Sequence, residues 1–166
     1  MTEHISTISI PAYDSLKNGL IIDLHLTVFT SKKFSVTTKG SIAQALKSNF
    51  ERVIDVMGSI KTAWKCFESY SYILESTDNN FIVKDSKSAS MALAIILLNV
   101  YRKIHGKLEI PYLTGTGILR SDGTFDSANL EMEKKKAMIA KKNFSNFITS
   151  SKCNHLYELE ELMNNY

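Results

Sequence analysis

Ser88 stands in the run Lys84-Asp85-Ser86-Lys87-Ser88-Ala89-Ser90, at the mouth of a strongly apolar segment, and the lysine cluster Lys134-Lys135-Lys136 follows far along the chain. A serine hydroxyl is a weak nucleophile and needs a base beside it. A lysine serves as that base when burial disfavours its ammonium form and brings its pKa towards neutrality. A serine at the start of a helix has a further advantage, because the amides and the positive end of the helix dipole there can hold a developing oxyanion. The chemistry in prospect is acyl transfer. A third segment, Tyr112-Leu113-Thr114-Gly115 followed by Ile118-Leu119-Arg120, accompanies these two. Each signal also has a plainer reading: a serine before a helix is ordinarily an N-cap, and a lysine run on a helix is ordinarily a solvated face.

The elements that must position these residues are legible from periodicity. Ile22, Leu24, Leu26 and Val28 alternate with Asp23, His25 and Thr27, the pattern of a half-buried strand. Lys32-Lys33 makes a turn, and Phe34, Val36 and Thr38 alternate again, so the two strands are expected to form a hairpin. Ser41 is the expected N-cap of a long helix carrying Ile42, Ala45, Leu46, Phe50, Val53, Ile54 and Met57, with Gly58 near its end and a second helical piece at Ala63-Trp64. Tyr70, Tyr72 and Leu74 read as a strand, Thr77 to Asn80 as a turn, and Phe81 to Val83 as a short extended stretch. A helix from Ser88 to Ile104, apolar on all sides over Met91 to Leu98, is expected to be buried, with Gly106 ending it. Ile110 to Leu113 reads as a short strand and Ile118 to Phe125 as a hairpin or loop turning at Asp122-Gly123. A helix over Asn129 to Lys142, a strand over Phe144 to Thr149 and a helix over Leu156 to Met163 complete the chain.

The chain has 166 residues, a net charge of +3 and no repeats or linker, which indicates one domain with an arm or edge strand over residues 1–18 and a body over 19–166. The expected class is α+β, a small mixed sheet flanked by helices. A dedicated nucleic-acid binder is usually far more basic. Glu131 to Lys142 carries five lysines against two glutamates and could contact phosphates, but the modest total charge and the lack of interleaved aromatics argue against nucleic acid as a partner. Cys66 and Cys153 form no CxxC pair and the four histidines show no metal-ligand spacing, so neither a disulfide nor a metal or other cofactor is expected. With no signal peptide and no apolar run of about 20 residues, the expectation is a cytoplasmic protein without a membrane span.

Taken in order, these segments resemble the proteolytic domain of Lon-type proteases. Lys84-Asp85-Ser86-Lys87-Ser88-Ala89 is similar to the signature in which Lys-Asp-Gly-Pro precedes the nucleophilic Ser-Ala-Gly. Thr114-Gly115 with Leu119-Arg120 resembles that family's Thr-Gly-Glu-Ile-x-Leu-Arg segment, and Glu133-Lys134 copies the Glu-Lys of its Gly-Gly-Leu-x-Glu-Lys. The similarity runs over about residues 19 to 163 and lies more in order and spacing than in identity. It implies Ser88 as nucleophile, a lysine as base, Thr114 in support of the pair, and Asp85 as the acidic residue before the nucleophile. For the base, Lys136-Ala137-Met138-Ile139-Ala140 matches better the small and apolar residues after the family's lysine. Lys136 is therefore preferred and Lys134 is second; two residues apart, they lie ~200° apart on a helix, so only one can face Ser88.

The resemblance implies a serine endopeptidase with a Ser-Lys dyad acting on flexible or unfolded polypeptide, and a homo-oligomer in the form of a hexameric ring. No GxxxxGK[ST] motif occurs, so a free-standing domain is expected, independent of ATP by itself, with any motor supplied by a separate ATPase. Ser86-Lys87 replaces the family's Gly-Pro, and Ser90 replaces the glycine after Ser-Ala. These departures leave a second function open: a catalytically degenerate domain of the same fold serving assembly or partner binding.

Overall fold

The computed structural model describes residues 3–13, 18–30, 33–77, 87–127, 129–143 and 145–166. The expected turn at Lys32, most of that at Thr77 to Asn80, the extended stretch at Phe81 to Val83, Asp85 and Phe144 lie outside the described residues. The chain is α+β. Three strands, β1 (Glu3–Tyr13), β2 (Gly19–Phe29) and β3 (Ser35–Lys39), lead into the long helix α1 (Ser41–Ile60). A 3-10 segment, Thr62–Ser69, and the strand β4 (Ser71–Ser76) follow. A single 3-10 turn at Lys87–Ala89 then opens α2 (Ser90–Ile104). The last part comprises β5 (Leu113–Thr116), β6 (Ile118–Leu119), β7 (Phe125–Asp126), α3 (Leu130–Lys142), β8 (Asn146–Thr149) and α4 (Leu156–Asn164).

The first four strands form one mixed sheet in the order β1-β2-β4-β3. β2 is antiparallel to both β1 and β4, whereas β3 lies parallel to β4. The expected β2–β3 hairpin is therefore corrected: β4 inserts between the two. Burial explains the order. β4 sinks Tyr72 and Leu74 completely and suits the interior of the sheet, while β3 has no buried residue and suits an edge. Residues 3–13 take the edge-strand alternative and contribute Ile8 and Ile10 to the core.

The outer edge of β1 is blunted. Lys103 Nζ donates to the carbonyl of Ile5, Glu109 accepts from the Thr7 amide at 3.4 Å, and the two side chains pair with each other at 2.8 Å. The odd-numbered residues of β1 thus turn their backbone groups outward, and Pro11 falls in that set with no N–H to leave unpaired.

The core lies where α1 and α2 cover the buried face of this sheet. Ile22, Leu24, Leu26 and Val28 are buried on β2, matching their alternation in the sequence. On α2 every residue from Ser90 to Val100 is buried, so the all-round apolar stretch occupies the centre of the molecule. Among the described residues no helix is long and apolar enough to cross a membrane.

Three boundaries shift, each for a local reason. Gly40, not Ser41, caps α1: its φ is +97°, and a Cβ there would meet Ser76 atoms at 2.4 Å. The strand expected at Ile110 begins at Leu113 instead. Asn99 takes both backbone groups of Ile110, accepting from its N–H at 2.9 Å and donating to its carbonyl at 3.2 Å. Tyr112 then turns the chain with φ +58°. The α-helix expected from Ser88 starts at Ser90, leaving Ser88 in the preceding 3-10 turn.

Candidate active site

Two parts of the fold meet at Ser88. One is the entry to α2. Ser90 Oγ donates to the Lys87 carbonyl at 2.5 Å and to Asn49 Oδ1 on α1 at 3.2 Å, which closes the turn that carries Ser88. The other is the junction between β5 and β6 at Gly117. The Ser88 carbonyl accepts from the Gly117 amide at 3.0 Å and from Thr116 Oγ1 at 3.3 Å, and the Met91 amide donates to the Gly117 carbonyl at 3.2 Å. Ser88 is thus held by backbone bonds on both sides. At Gly115 the packing leaves no room for a side chain, since a Cβ would stand 2.7 Å from the Ile148 carbonyl oxygen and 2.8 Å from Met91 Sδ.

α3 brings the lysines. Parallel strands need a crossover between them, and the chain between β5 and its parallel partner β8 includes α3. The helix starts where the Asn129 side chain accepts from the amides of Glu131 and Met132 at 3.0 and 3.2 Å. From there the turn of the helix decides which lysine faces inward. Lys136 is half-buried, and its Nζ stands 3.4 Å from Ser88 Oγ. Lys134 and Lys135 are exposed, and Lys135 pairs with Glu131 at 3.7 Å. Around Lys136 the helix presents Ala137 and Ile139, both half-buried, and the fully buried Ala140. Ile139 packs so closely on the β1–β2 end that a Cβ on Gly19 would meet its Cδ1 at 2.6 Å.

Of the residues singled out in the sequence, Ser88 and Lys136 come together, and Lys134 stays in solvent. Thr114 lies on β5 at 1% exposure, and its Oγ1 makes no hydrogen bond among the described residues. Asp85 lies outside the described residues. No three His, Cys, Asp or Glu side chains among the described residues gather as a metal site would need.

One further residue of α3, read in the sequence only as part of the Glu133-Lys134 match, is buried. Glu133 is only 8% exposed, and its Oε1 accepts from Ser150 Oγ at 3.5 Å. It stands three positions before Lys136, on the adjoining part of the same helix face. That i,i+3 spacing is the signal that could have found it, once Lys136 had been chosen as the inward residue. No family model matches the chain, and no curated protein does.

Proposed function

We propose that this protein is a Lon-like serine peptidase in which Ser88 is the nucleophile and Lys136 its general base. The observation that carries the reading is the 3.4 Å approach of Lys136 Nζ to Ser88 Oγ. It joins the two residues that the resemblance paired, from elements far apart in the chain. A neutral Lys136 takes the proton as Ser88 Oγ attacks a peptide carbonyl, then gives that proton to the leaving amine. Water hydrolyses the acyl-enzyme with the same lysine acting as base. No side chain caps α2, and with the Met91 N–H held by the Gly117 carbonyl, the amides of the turn at Lys87–Ala89 are the donors for the oxyanion.

The substrate class that suits a domain of this kind is flexible or unfolded polypeptide. The resemblance further suggests a hexameric ring, a cytoplasmic setting and a separate ATPase as the source of unfolded chains. The test is cleavage of casein by purified protein, together with labelling by a serine-directed acylating reagent and mass spectrometry of the labelled peptide. Cleavage with Ser88 modified supports the reading. Absence of both cleavage and labelling sinks it and favours a binding module on the same fold.

A further inference from the structure

We propose that Glu133 is a cation subsite of this same site, taking the guanidinium or ammonium of a substrate next to the bond to be cut. The proposal rests on the reading of Ser88 and Lys136 as a peptidase dyad. A glutamate is almost never fully buried without a partner, and a buried carboxylate ordinarily ends in an ion pair or several hydrogen bonds. Glu133 has neither. At 8% exposure its side chain has one long hydrogen bond, 3.5 Å from Ser150 Oγ, and no lysine, arginine or histidine among the described residues pairs with it. Its place near the start of α3 does not account for this. Glu131, two residues earlier in the same first turn, meets the helix dipole while staying in solvent. Glu133 instead turns inward.

Its position points to the site. On a helix, residues three apart are neighbours at about 5–6 Å between Cβ atoms, so Glu133 flanks the base. The second link runs through the strand pair. Ser150 directly follows β8, whose last residue, Thr149, lies opposite Thr116 of β5. Thr116 in turn holds the Ser88 carbonyl through its hydroxyl. Glu133 and Ser88 are therefore tied to the same end of the β5–β8 pair, one through Ser150 and the other through Thr116. A substrate laid across Ser88 brings a neighbouring residue to an anion with no ion-pair partner within 4 Å among the described residues. The cation that fits is either a lysine or arginine side chain, or the α-ammonium of the peptide.

The experiment uses internally quenched peptides that differ only in arginine, lysine, citrulline or norleucine beside the cleaved bond, each with a free and an acetylated amino terminus. In parallel, fluorescence anisotropy measures binding of the same peptides to the Ser88→Ala protein, which needs no cleavage. Charge-assisted bonds of this kind imply at least a ~10-fold preference for arginine or lysine over citrulline in kcat/KM and in binding, falling to within about 2-fold in Glu133→Gln. If acetylation alone removes the preference, the bound group is the α-ammonium, and the subsite stands with that ligand. If wild type cleaves nothing while Ser88→Ala binds the arginine peptide through Glu133, the peptidase reading falls and the subsite survives. Equal treatment of arginine, citrulline and acetylated peptides by the wild-type and Ser88→Ala proteins overturns the proposal, even if Glu133→Gln fails to fold. A charge preference that Glu133→Gln leaves intact does the same.

Discussion

Replacing Lys136 by methionine removes the amine and keeps an unbranched stem of similar reach. The side chain is half-buried and its Nζ lies 3.4 Å from Ser88 Oγ, so the change deletes the base while leaving much of the packing. A positioned general base contributes about 10²–10⁴-fold, equivalent to about 2.7–5.4 kcal/mol of transition-state stabilisation. The expected loss in kcat/KM on a quenched unstructured peptide is of that size, with a change in folding stability below about 1 kcal/mol. Lys134 provides the internal control. It lies ~200° around the helix in solvent, so Lys134→Met is expected to keep activity within about 2-fold. Ser88→Ala is expected to be as damaging as Lys136→Met, and the double variant no worse than either, because the pair acts as a unit. The assays are initial rates across substrate concentration and urea melts of each variant. An active Lys136→Met refutes the assignment of the base. A dead Lys134→Met beside an active Lys136→Met moves the base by two residues and keeps the dyad.

Thr114→Val tests the supporting threonine: its buried hydroxyl has no described partner, so the valine protein should melt within about 1 kcal/mol of wild type or above it, while a fall in kcat would assign the hydroxyl to the site. Ile95→Ala, at the fully buried centre of α2, is expected to cost about 2–5 kcal/mol in urea unfolding, and a loss below 1 kcal/mol would contradict that burial. Two of the groups whose pKa burial raises bear on alkaline stability. Burial pushes the Cys153 thiol from 9.0 up to about 11, and burial together with the Cys66 contact pushes the Tyr70 phenol from 10.0 up to about 12. The folded state holds these protons more tightly than the unfolded one, so their contribution is complete below about pH 9 and is lost as pH rises towards 12. Cys153→Ala should flatten the lower part of that decline in thermal melts, and an unchanged profile would refute it.

How much was legible depended on whether the determining contact was local. The alternation at Ile22 to Val28 and the apolar run at Met91 to Leu98 marked buried elements, because side-chain direction in a strand or helix is set by backbone geometry within a few residues. Asp122-Gly123 marked the reversal between β6 and β7 for the same reason, with Gly123 at φ +88°. The choice of Lys136 over Lys134 came from the small and apolar residues that follow it, and helix geometry then required that only one of the two face inward.

Strand order was not legible. Nothing local in β2 or β3 says that β4 will stand between them; that follows from which strands bury more, a property of the whole sheet. Ile110 has a strand-like side chain, but Asn99 on α2 claims both its backbone groups, a contact made only once the chain has folded back. Ser88 reads as the first residue of a helix, yet the Ser90 bonds to Lys87 and Asn49 wind that stretch into a tighter turn. Glu133 reads as one more charge in a lysine-rich helix. Only the packing of α3 beside the β5–β8 pair turns it inward, because burial of a charged group is decided by the neighbours that remove its water and not by its own type.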